Sequence, residues 1–408
     1  MRTAIFLLAA AASTAQADWT FVNLHPAGAT ESAANGVGIT PGGVRQVGYA
    51  SVGGVPHAAM WSGTAAGWAD LNPVAGAAST LYGVDGNLQV GAVGGGGFSA
   101  ASTWNGTAAS WVNISGGVHS TALCVSDGLV GGSYRDGTVD RSCTWTGSTM
   151  TPLGGRGILG VSFGVRVTNE FAGSFPISGT EAFMYHAGSN TAISLEPPNG
   201  YFSGVNAASG GLQAGWIHFD SITGPIHAII WNGSPSSYVD VHPAAARESR
   251  LTGISTGAQC GYVRVVDPND INMNLVSHAS AWFGSAGTWV DLHGFLPAGF
   301  RESTTTGVYS PDGQTVHVVG HGVNNTTGRR EALLWVHTPT QPPQCGTADF
   351  DGDGDTGTDA DIEAFFACLA GSCCPACFAG GADFNGDGDT GTDADIESFF
   401  RVLAGGAC

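Results

Sequence analysis

The stretch HASAWFGSAGTWVDLHG, from His278 to Gly294, decides the fold because it recurs along the chain. It aligns without gaps with HAAMWSGTAAGWADLNP, which begins at His57, and with HAIIWNGSPSSYVDVHP, which begins at His227. Each copy has apolar residues at alternate positions, a turn that contains glycine, and a second alternating run. That pattern is typical of a β-hairpin, and its recurrence predicts a repeat architecture.

Seven copies of the hairpin align on one aromatic residue each, at spacings of 40 to 53 residues. The aromatic positions are Trp61, Trp104, Trp145, Tyr185, Trp231, Trp282 and Trp335. Another two-strand pattern, such as GVYSPDGQTVHVVG from Gly307, lies between hairpins, so each unit holds about four strands, as a propeller blade does. We therefore predict a mainly β protein with a seven-bladed β-propeller over residues 18–338.

The two ends of the repeat region complement each other. The last copy, EALLWVHTP from Glu331, lacks the second half of the hairpin, and WTFVNLHP, from Trp19 to Pro26, supplies it. A ring closed by this pairing has no open strand edge between its first and last blades. A non-closed β-solenoid and stacked β-sandwiches are the alternatives to a propeller.

The repeats resemble the HAF family of extracellular repeats, through the HA-x-x-W-x-G … DL hairpins that are followed by GV or GI and a later glycine. The resemblance covers about Trp19 to Thr338, with Tyr185 in the place of a tryptophan. It implies secreted, propeller-like repeats, and it implies no established chemistry.

The C-terminal region contains a tandem duplication of an acidic segment. ADFDGDGDTGTDADIEAFF, over residues 348–366, recurs 34 residues later as ADFNGDGDTGTDADIESFF, with 17 of 19 positions identical. A calcium loop of the EF-hand type needs oxygen ligands at alternate positions, a glycine at the sixth and a carboxylate near its end. Without a cation, the six aspartates from Asp349 to Asp361 would repel one another. We predict Ca²⁺ as the cofactor, about two ions per chain.

The candidate calcium ligands are Asp349, Asp351, Asp353, Asp355, Asp359, Asp361, Asp383, Asn385, Asp387, Asp389, Asp393 and Asp395. Ala360 and Ala394 occupy the twelfth position of each loop, where the last ligand normally falls. Each loop therefore reads as one residue longer. Asp361 and Asp395 are the predicted terminal ligands, and Asp359 and Asp393 are the alternatives.

A helix with one apolar stripe is predicted after each loop. The stripes are Ile362, Phe365, Phe366 and Leu369 in the first copy, and Ile396, Phe399, Phe400 and Leu403 in the second. The loops, single helices and duplication resemble dockerin modules, of the GC type, from Ala348 to about Gly405. The resemblance implies docking through the two helices onto a cohesin-like or cell-surface protein. Its candidate recognition positions here are Thr358, Asp359, Thr392 and Asp393.

The remaining boundaries follow from composition. Residues 1–17 read as a secretory signal peptide, residues 339–344 as a proline-rich linker, and residues 345–408 as a small all-α domain of two EF-hand-like calcium loop–helix repeats. Six of the nine cysteines lie in that last domain, which predicts disulfides there and an extracellular protein. The net charge of −19 and the absence of lysine argue against nucleic acid as a partner. No later segment is apolar over the length of a membrane span.

Catalytic signatures are absent from the sequence: no HExxH, nucleophile elbow, P-loop or dinucleotide fingerprint stands in a fitting context. The connections between repeats place Glu31, Glu248 and Glu302 at matching positions, as candidates to line a central funnel. We favour the alternative that Glu-Ser is a local device repeated with the blade. The recurring histidines are expected to satisfy strand and turn polar groups for the same reason.

The sequence therefore favours a secreted binding or display protein, whose ligand is a carbohydrate or a surface protein, over an enzyme. The first alternative is a polysaccharide hydrolase or lyase, for which Glu170, Asp220 and Asp267 are carboxylates outside the repeat register. The second alternative is a structural component of a cell surface.

Overall fold

The computed structural model describes residues 19–95, 97–137, 139–153, 170–176, 180–186, 191–219, 221, 224–267, 274–311, 315–338, 346–374, 377–378, 381–385 and 390–406. The chain divides into two compact units between Thr338 and Pro339. The first unit is built from strands and the second contains two helices. The predicted signal peptide and linker lie outside the described residues.

The strands of the first unit follow one another in antiparallel meanders. After β1 (Trp19–Asn23) come β2 (Ser32–Thr40), β3 (Gly43–Val52), β4 (Val55–Trp61) and β5 (Ala69–Asp70), then β6 (Ala78–Asp85), β7 (Leu88–Gly95), β8 (Phe98–Trp104) and β9 (Val112–Asn113). The next two sheets are β10 (Ser120–Ser126), β11 (Leu129–Asp136), β12 (Val139–Thr146) and β13 (Thr149–Pro152), and β14 (Glu170–Pro176), β15 (Thr180–His186) and β16 (Thr191–Ser194).

The second half of the unit repeats this arrangement. Its strands are β17 (Gly200–Ser209), β18 (Leu212–Phe219), β19 (Ile226–Trp231) and β20 (Val239–Asp240), then β21 (Glu248–Ser255), β22 (Ala258–Val266), β23 (Leu275–Trp282) and β24 (Val290–Asp291), and last β25 (Phe300–Tyr309), β26 (Val316–Asn324) and β27 (Arg329–His337). Each four-stranded sheet contributes one strand to the lining of a narrow central cavity, so the unit is a β-propeller. These inner strands are β2, β6, β10, β17, β21 and β25.

The number of blades differs from the prediction. The structure shows six four-stranded blades rather than seven, and β14–β16 form a sheet of three strands. The fourth strand predicted for that repeat falls within residues 154–169, outside the described residues. This repeat has drifted furthest in sequence, since Tyr185 stands where the six others have tryptophan.

The predicted closure between the two ends of the repeat region is confirmed. Strand β1 pairs antiparallel with β27, with Trp19 opposite His337 and Asn23 opposite Leu333, in a sheet of order β1-β27-β26-β25. The N-terminal strand is thus the outermost strand of the last blade, and the edge of β27 is covered.

The anchoring tryptophans are the core of the blade interfaces. Those of the six four-stranded blades are at most 1% exposed, and three donate an indole hydrogen bond to a carbonyl of the preceding blade. Trp104 Nε1, for example, lies 3.0 Å from the Leu71 oxygen. Burial of one such side chain contributes about 3–5 kcal/mol relative to alanine.

At six interfaces in the described part of the propeller, one serine joins neighbouring blades. Its hydroxyl accepts a hydrogen bond from a backbone N–H of the preceding blade, over 2.8–3.2 Å. The donor and acceptor pairs are Ala58 and Ser79, Ala101 and Ser120, Ala182 and Ser203, Ala228 and Ser249, Ala279 and Ser303, and Ala332 and Ser32. The last pair links the first and last blades, and so closes the ring.

The recurring histidines serve the same framework. His25, His242 and His293 each place Nδ1 at 2.7–2.8 Å from an interface serine. His57, His227 and His278 each place Nδ1 at 2.7–2.9 Å from the aspartate of their own hairpin, namely Asp70, Asp240 and Asp291. Both sets therefore satisfy polar groups of the repeat, in agreement with the sequence interpretation.

The second unit contains α1 (Asp359–Leu369) and α2 (Asp393–Leu403). Its core is a cluster of four buried phenylalanines, Phe350, Phe365, Phe384 and Phe399. Phe365 stacks on Phe399 at 4.0 Å, so the two apolar stripes pack together as predicted. Phe366 and Phe400 differ from that prediction, because they are 44% and 45% exposed.

Disulfides link Cys368 to Cys373 and Cys374 to Cys377 in the second unit. Cys345 and Cys408, the other cysteines predicted to pair there, lie outside the described residues. Cys124, Cys143 and Cys260 are free, buried thiols of the propeller. Neither α1 nor α2, the helices in the described part of the chain, has the length and apolar character needed to cross a membrane.

Candidate functional site

The first acidic loop, residues 349–361, brings three carboxylates together. Asp349, Asp351 and Asp353 each place one oxygen so that the three atoms lie within 4.8 Å of one another. Backbone hydrogen bonds hold this arrangement: Gly354 N–H donates to Asp349 Oδ2 at 3.1 Å, and Asp353 N–H donates to Asp351 Oδ1 at 3.1 Å. Gly354 has φ of +96°, a conformation that favours glycine at the sixth position.

Like charges crowd together in this loop. Partial desolvation raises the pKa of Asp351, and the negative charges of Asp353, Asp361 and Asp349 raise it further, against one backbone hydrogen bond. The Oδ1 atom of Asp349 is buried and has no hydrogen-bond partner among the described residues. A buried carboxylate oxygen is normally satisfied by a donor or by a metal ion, so this oxygen fits a hard cation.

Asp361, a predicted terminal ligand, has a different environment. It is fully buried, and its Oδ1 accepts hydrogen bonds from the N–H groups of Phe350 at 2.7 Å and Asp351 at 3.3 Å. Its Oδ2 accepts from the N–H and hydroxyl of Thr358, at 2.8 and 2.9 Å. Burial alone would raise the pKa of Asp361, but these hydrogen bonds hold it below the ordinary value.

Four donors match the roughly four lone-pair sites of a carboxylate. In this structure Asp361 therefore braces the loop against the start of α1, and its role as a calcium ligand stays a prediction. Asp355 is exposed, and its role as a ligand stays a prediction. Asp359 is exposed in the first turn of α1.

The second acidic loop, residues 383–395, repeats the described part of this geometry. Asp395 is fully buried, and its Oδ2 accepts from the N–H and hydroxyl of Thr392 at 2.8 and 2.9 Å. Asn385 N–H donates to Asp395 Oδ1 at 3.2 Å, as Asp351 N–H does to Asp361. Asp387 and Asp389 lie outside the described residues.

The candidate recognition positions have two different environments. Thr358 and Thr392 are the N-cap residues of α1 and α2, and their side chains form capping boxes with the buried aspartates. Asp359 and Asp393 follow them and are exposed. Both pairs thus lie at the helix starts, where the prediction placed them.

The three glutamates predicted for a funnel do not form one carboxylate cluster. Glu248 pairs with Arg264, at 3.4 Å. The pKa of Arg330 is raised, first by a hydrogen bond to Tyr49 and further by the negative charges of Glu31 and Glu302. In the same motif it is the serine that bridges two blades, which supports the interpretation of Glu-Ser as a repeated local device.

Of the carboxylates outside the repeat register, the structure describes the side chain of Asp267. Asp267 is largely buried beside Arg301, with 3.6 Å between Oδ2 and Nε. Asp220 and the side chain of Glu170 lie outside the described residues. Whether these three acids converge therefore stays a prediction.

A feature that sequence reasoning missed is a ring of β-bulges. The inner strand of each four-stranded blade shifts register by one residue at the same place, opposite a glycine of the second strand. The bulged residues, here called the bulge ring, are Asn35, Tyr82, Leu123, Asn206, Thr252 and Thr306. A Cβ on the opposing Gly261 would lie 2.0 Å from the Arg250 oxygen, so the strands approach too closely for any other residue.

The bulge ring forms one end of the central channel. Asn35 donates to the Leu81 oxygen at 2.9 Å, and Asn206 donates to the Leu251 oxygen at 2.7 Å, so the ring links adjacent inner strands. The signal in the sequence was a glycine directly after the bulged residue within a strand, as in Asn35-Gly36 and Thr252-Gly253. A glycine inside a strand often marks a bulge, and bulges re-aim side chains at functional sites.

A cavity of about 340 Å³ opens over the bulge ring, and we call it the mouth cavity. It is lined by Asn35, Tyr82, Asn206, Arg250, Thr252, Tyr262, Thr305 and Thr306. This volume falls in the usual range of small-molecule sites. Burial raises the pKa of Tyr262, the cross-strand partner of Arg250, although the charge of Arg250 opposes that shift.

Comparison with known proteins shows no family assignment: no family model matches the chain, and no curated protein is similar to it. Solved structures similar to it include an oligogalacturonate lyase from Vibrio parahaemolyticus, with 8% identity and a TM-score of 0.46 over 79% of this chain and 98% of the lyase. An acylaminoacyl peptidase from Pyrococcus horikoshii has 9% identity and a TM-score of 0.48 over 74% of this chain and 51% of the peptidase.

A sialidase from Trypanosoma rangeli has 10% identity and a TM-score of 0.37, over 75% of this chain and 55% of the sialidase. The chain thus spans about half the length of the peptidase and the sialidase. At such identities and TM-scores these enzymes say nothing about what this chain binds or catalyses. The propeller assignment rests on the strand pairing described above.

Proposed function

We propose that this chain is an extracellular binding protein in which a calcium-dependent, dockerin-like module anchors a ligand-binding propeller to a scaffold or a cell surface. The observation that carries the proposal is the buried, unpartnered Oδ1 of Asp349 within a cluster of three carboxylates. An acidic cluster alone would be explained as a solvated surface, whereas a desolvated carboxylate oxygen without a donor calls for a cation.

The residues present fit Ca²⁺. Calcium takes six to eight oxygen ligands and tolerates irregular geometry, and the first loop offers oxygens from Asp349, Asp351 and Asp353, with the backbone carbonyl of Asp355. Asp383 and Asn385 start the equivalent set in the second loop. A bound divalent cation would neutralise the like charges that raise the pKa of Asp351.

The rest of the unit supports a docking role. Asp361 and Asp395 couple each loop to the first turn of its helix, so cation binding would order the helices as well as the loops. Phe366 and Phe400 stand exposed on the two helices with ring centroids 6.3 Å apart. Paired exposed aromatics are typical of protein-binding surfaces, which is consistent with a cohesin-like or cell-surface partner.

The binding role is preferred to the enzymatic alternative because of the charges on the propeller. A hydrolase of the glycosidase type needs two carboxyl groups at a set separation. Among the described residues, Glu248 and Asp267 are each paired with an arginine, and Glu31 and Glu302 lie near Arg330. No specific observation favours a lyase or a purely structural role over ligand binding.

Calcium titration of the full chain tests the proposal. Isothermal titration after removal of metal with EDTA, with native mass spectrometry, should show about two Ca²⁺ per chain with a Kd in or below the millimolar range. Asp349→Ala should lose one ion, because it removes the buried oxygen. Glu363→Ala, which removes an exposed acid of α1, is the matched control and should keep both.

Two outcomes contradict the proposal. One is a wild-type chain that takes up no Ca²⁺ at millimolar concentration. The other is an Asp349→Ala chain that binds as many ions, and as tightly, as wild type does.

A further inference from the structure

Arg250 differs from four other arginines of this propeller because no described carboxylate pairs with it. Arg135, Arg141, Arg264 and Arg301 each lie within 3.6 Å of a carboxylate. The Arg250 guanidinium has neither a hydrogen bond nor an ion pair to a described residue, although the chain carries 32 acids against 13 lysine and arginine residues. Arg250 is half-buried in the wall of the mouth cavity.

The guanidinium of Arg250 is also held in place. Its Cζ lies 4.2 Å from the ring centroid of Trp216, a cation–π contact that fixes the plane without using the N–H donors. Trp216 follows Gly215 on β18, the same position that Tyr262 has after Gly261 on β22. A positioned guanidinium with free donors matches the geometry of a carboxylate, which it binds through two parallel hydrogen bonds.

The other walls of the mouth cavity recognise a different part of the ligand. Tyr82 and Tyr262 offer aromatic rings, and Asn35, Asn206 and Thr306 offer polar groups. Aromatic faces combined with amide and hydroxyl groups suit a ring that has an apolar face and several hydroxyls. Such a ring with one carboxylate is an acidic sugar, and about 340 Å³ accommodates one or two sugar units.

We propose that the mouth cavity is a binding site for an acidic sugar of the uronate class, with Arg250 binding the carboxylate and the polar residues of the bulge ring contacting the hydroxyls. The site deepens the proposed function, and it rests on that proposal only in taking the propeller as the ligand-binding unit. It explains why each inner strand bulges at this level: the bulge turns residues that a regular strand would not direct toward the cavity.

Binding of three small probes to the full chain, in calcium buffer, tests the site. The probes are D-galacturonate, which has a sugar ring and a carboxylate, D-galactose, which has the ring alone, and propionate, which has the carboxylate alone. Titration calorimetry should give galacturonate at least tenfold tighter than galactose and also tighter than propionate, since a charge-assisted pair is worth a factor of ten or more. Tryptophan fluorescence gives a second readout, because one of the 11 tryptophans, Trp216, contacts Arg250.

Variants locate the binding at Arg250. Arg250→Gln should reduce galacturonate affinity to the galactose level, and Arg250→Lys should give an intermediate value, because lysine keeps the charge and loses the planar fork. Arg135→Gln removes an exposed arginine of another blade, paired with Asp140, and should bind galacturonate as wild type does. An unchanged far-UV circular dichroism spectrum and urea midpoint of Arg250→Gln without ligand would show that it folds.

Four results would overturn the inference. If galacturonate binds no tighter than galactose, the site does not recognise the carboxylate. If propionate binds as well as galacturonate, the site does not recognise the sugar ring. An Arg250→Gln chain with wild-type affinity places the site elsewhere. A chain that binds two calcium ions and no galacturonate would refute this site while leaving calcium-dependent docking in place.

Discussion

Replacement of Ser32 by alanine tests whether the ring is closed by the same contact that joins its other blades. Ser32 is fully buried at the junction of the first and last blades. Its hydroxyl accepts from the Ala332 N–H at 2.9 Å and lies 2.7 Å from His25 Nδ1. Alanine removes both contacts without changing the backbone, so the effect reports this junction alone.

The magnitude follows from what each partner loses. The Ala332 N–H would be buried without an acceptor, which costs about 1–3 kcal/mol. His25 keeps its contact with the Ala29 oxygen at 3.1 Å and is half-buried, so its loss is smaller. We expect the Ser32→Ala propeller to be about 2 kcal/mol less stable than wild type. Ser249→Ala, which breaks the equivalent bonds between two sequential blades, should lose a similar amount.

Urea unfolding followed by tryptophan fluorescence measures this difference. All 11 tryptophans lie between Trp19 and Trp335, so the signal reports the propeller and not the C-terminal unit. Ser236→Ala, at an exposed serine, is the control and should stay within about 0.5 kcal/mol of wild type. A loss of about 2 kcal/mol for Ser249→Ala with none for Ser32→Ala would refute closure through this bond.

Two further predictions concern pH and the C-terminal core. Burial lowers the pKa of His321 and of His293 to about 4, below the ordinary 6.5 of the unfolded chain. The unfolded state therefore binds more protons between these values, and the propeller should lose stability as pH falls from 6.5 to 4, by roughly 2–3 kcal/mol for His321. The urea midpoint should shift less in His321→Gln; a midpoint independent of pH over this range contradicts the assignment. Phe365→Ala should destabilise the C-terminal unit by about 3–5 kcal/mol, because the buried ring stacks on Phe399. Limited proteolysis read by mass spectrometry should then show cleavage in that unit, whereas Phe366→Ala, at the exposed neighbour, should resist as wild type does; equal resistance of both variants would show that Phe365 is not core.

The sequence predicted the propeller and its closure because both depend on local periodicity. Alternating apolar residues, a turn glycine and one aromatic anchor define each hairpin, and the half-hairpin at Trp19 had only one unpaired edge to complete. The blade number was less secure, since the repeat around Tyr185 has lost the tryptophan that marks the others. The structure accordingly shows six four-stranded blades and one three-stranded sheet.

The geometry of the acidic loops was also predicted only in part from the sequence. Alternate aspartates around Gly354 predicted which side chains would converge, since a tightly curled backbone turns alternate positions toward one centre. The spacing could not show whether an aspartate at the end of the loop binds the ion or holds the loop to the helix. Asp361 is buried against four hydrogen-bond donors from both sides of the loop, and these donors meet only when the helix has formed.

By itself, the sequence determined the repeat, the strand order and the acidic spacing, because these are properties of neighbours along the chain. It also determined the end-to-end pairing, because each end of the repeat region carries the half of a hairpin that the other end lacks. Only the tertiary structure decided the mouth cavity. Its bulge ring collects one residue from each of six inner strands, and Arg250 is unpaired there while Glu248, two residues away, pairs with Arg264. Which charges meet across a ring depends on strand register and bulges, and these are set when the blades pack around the channel.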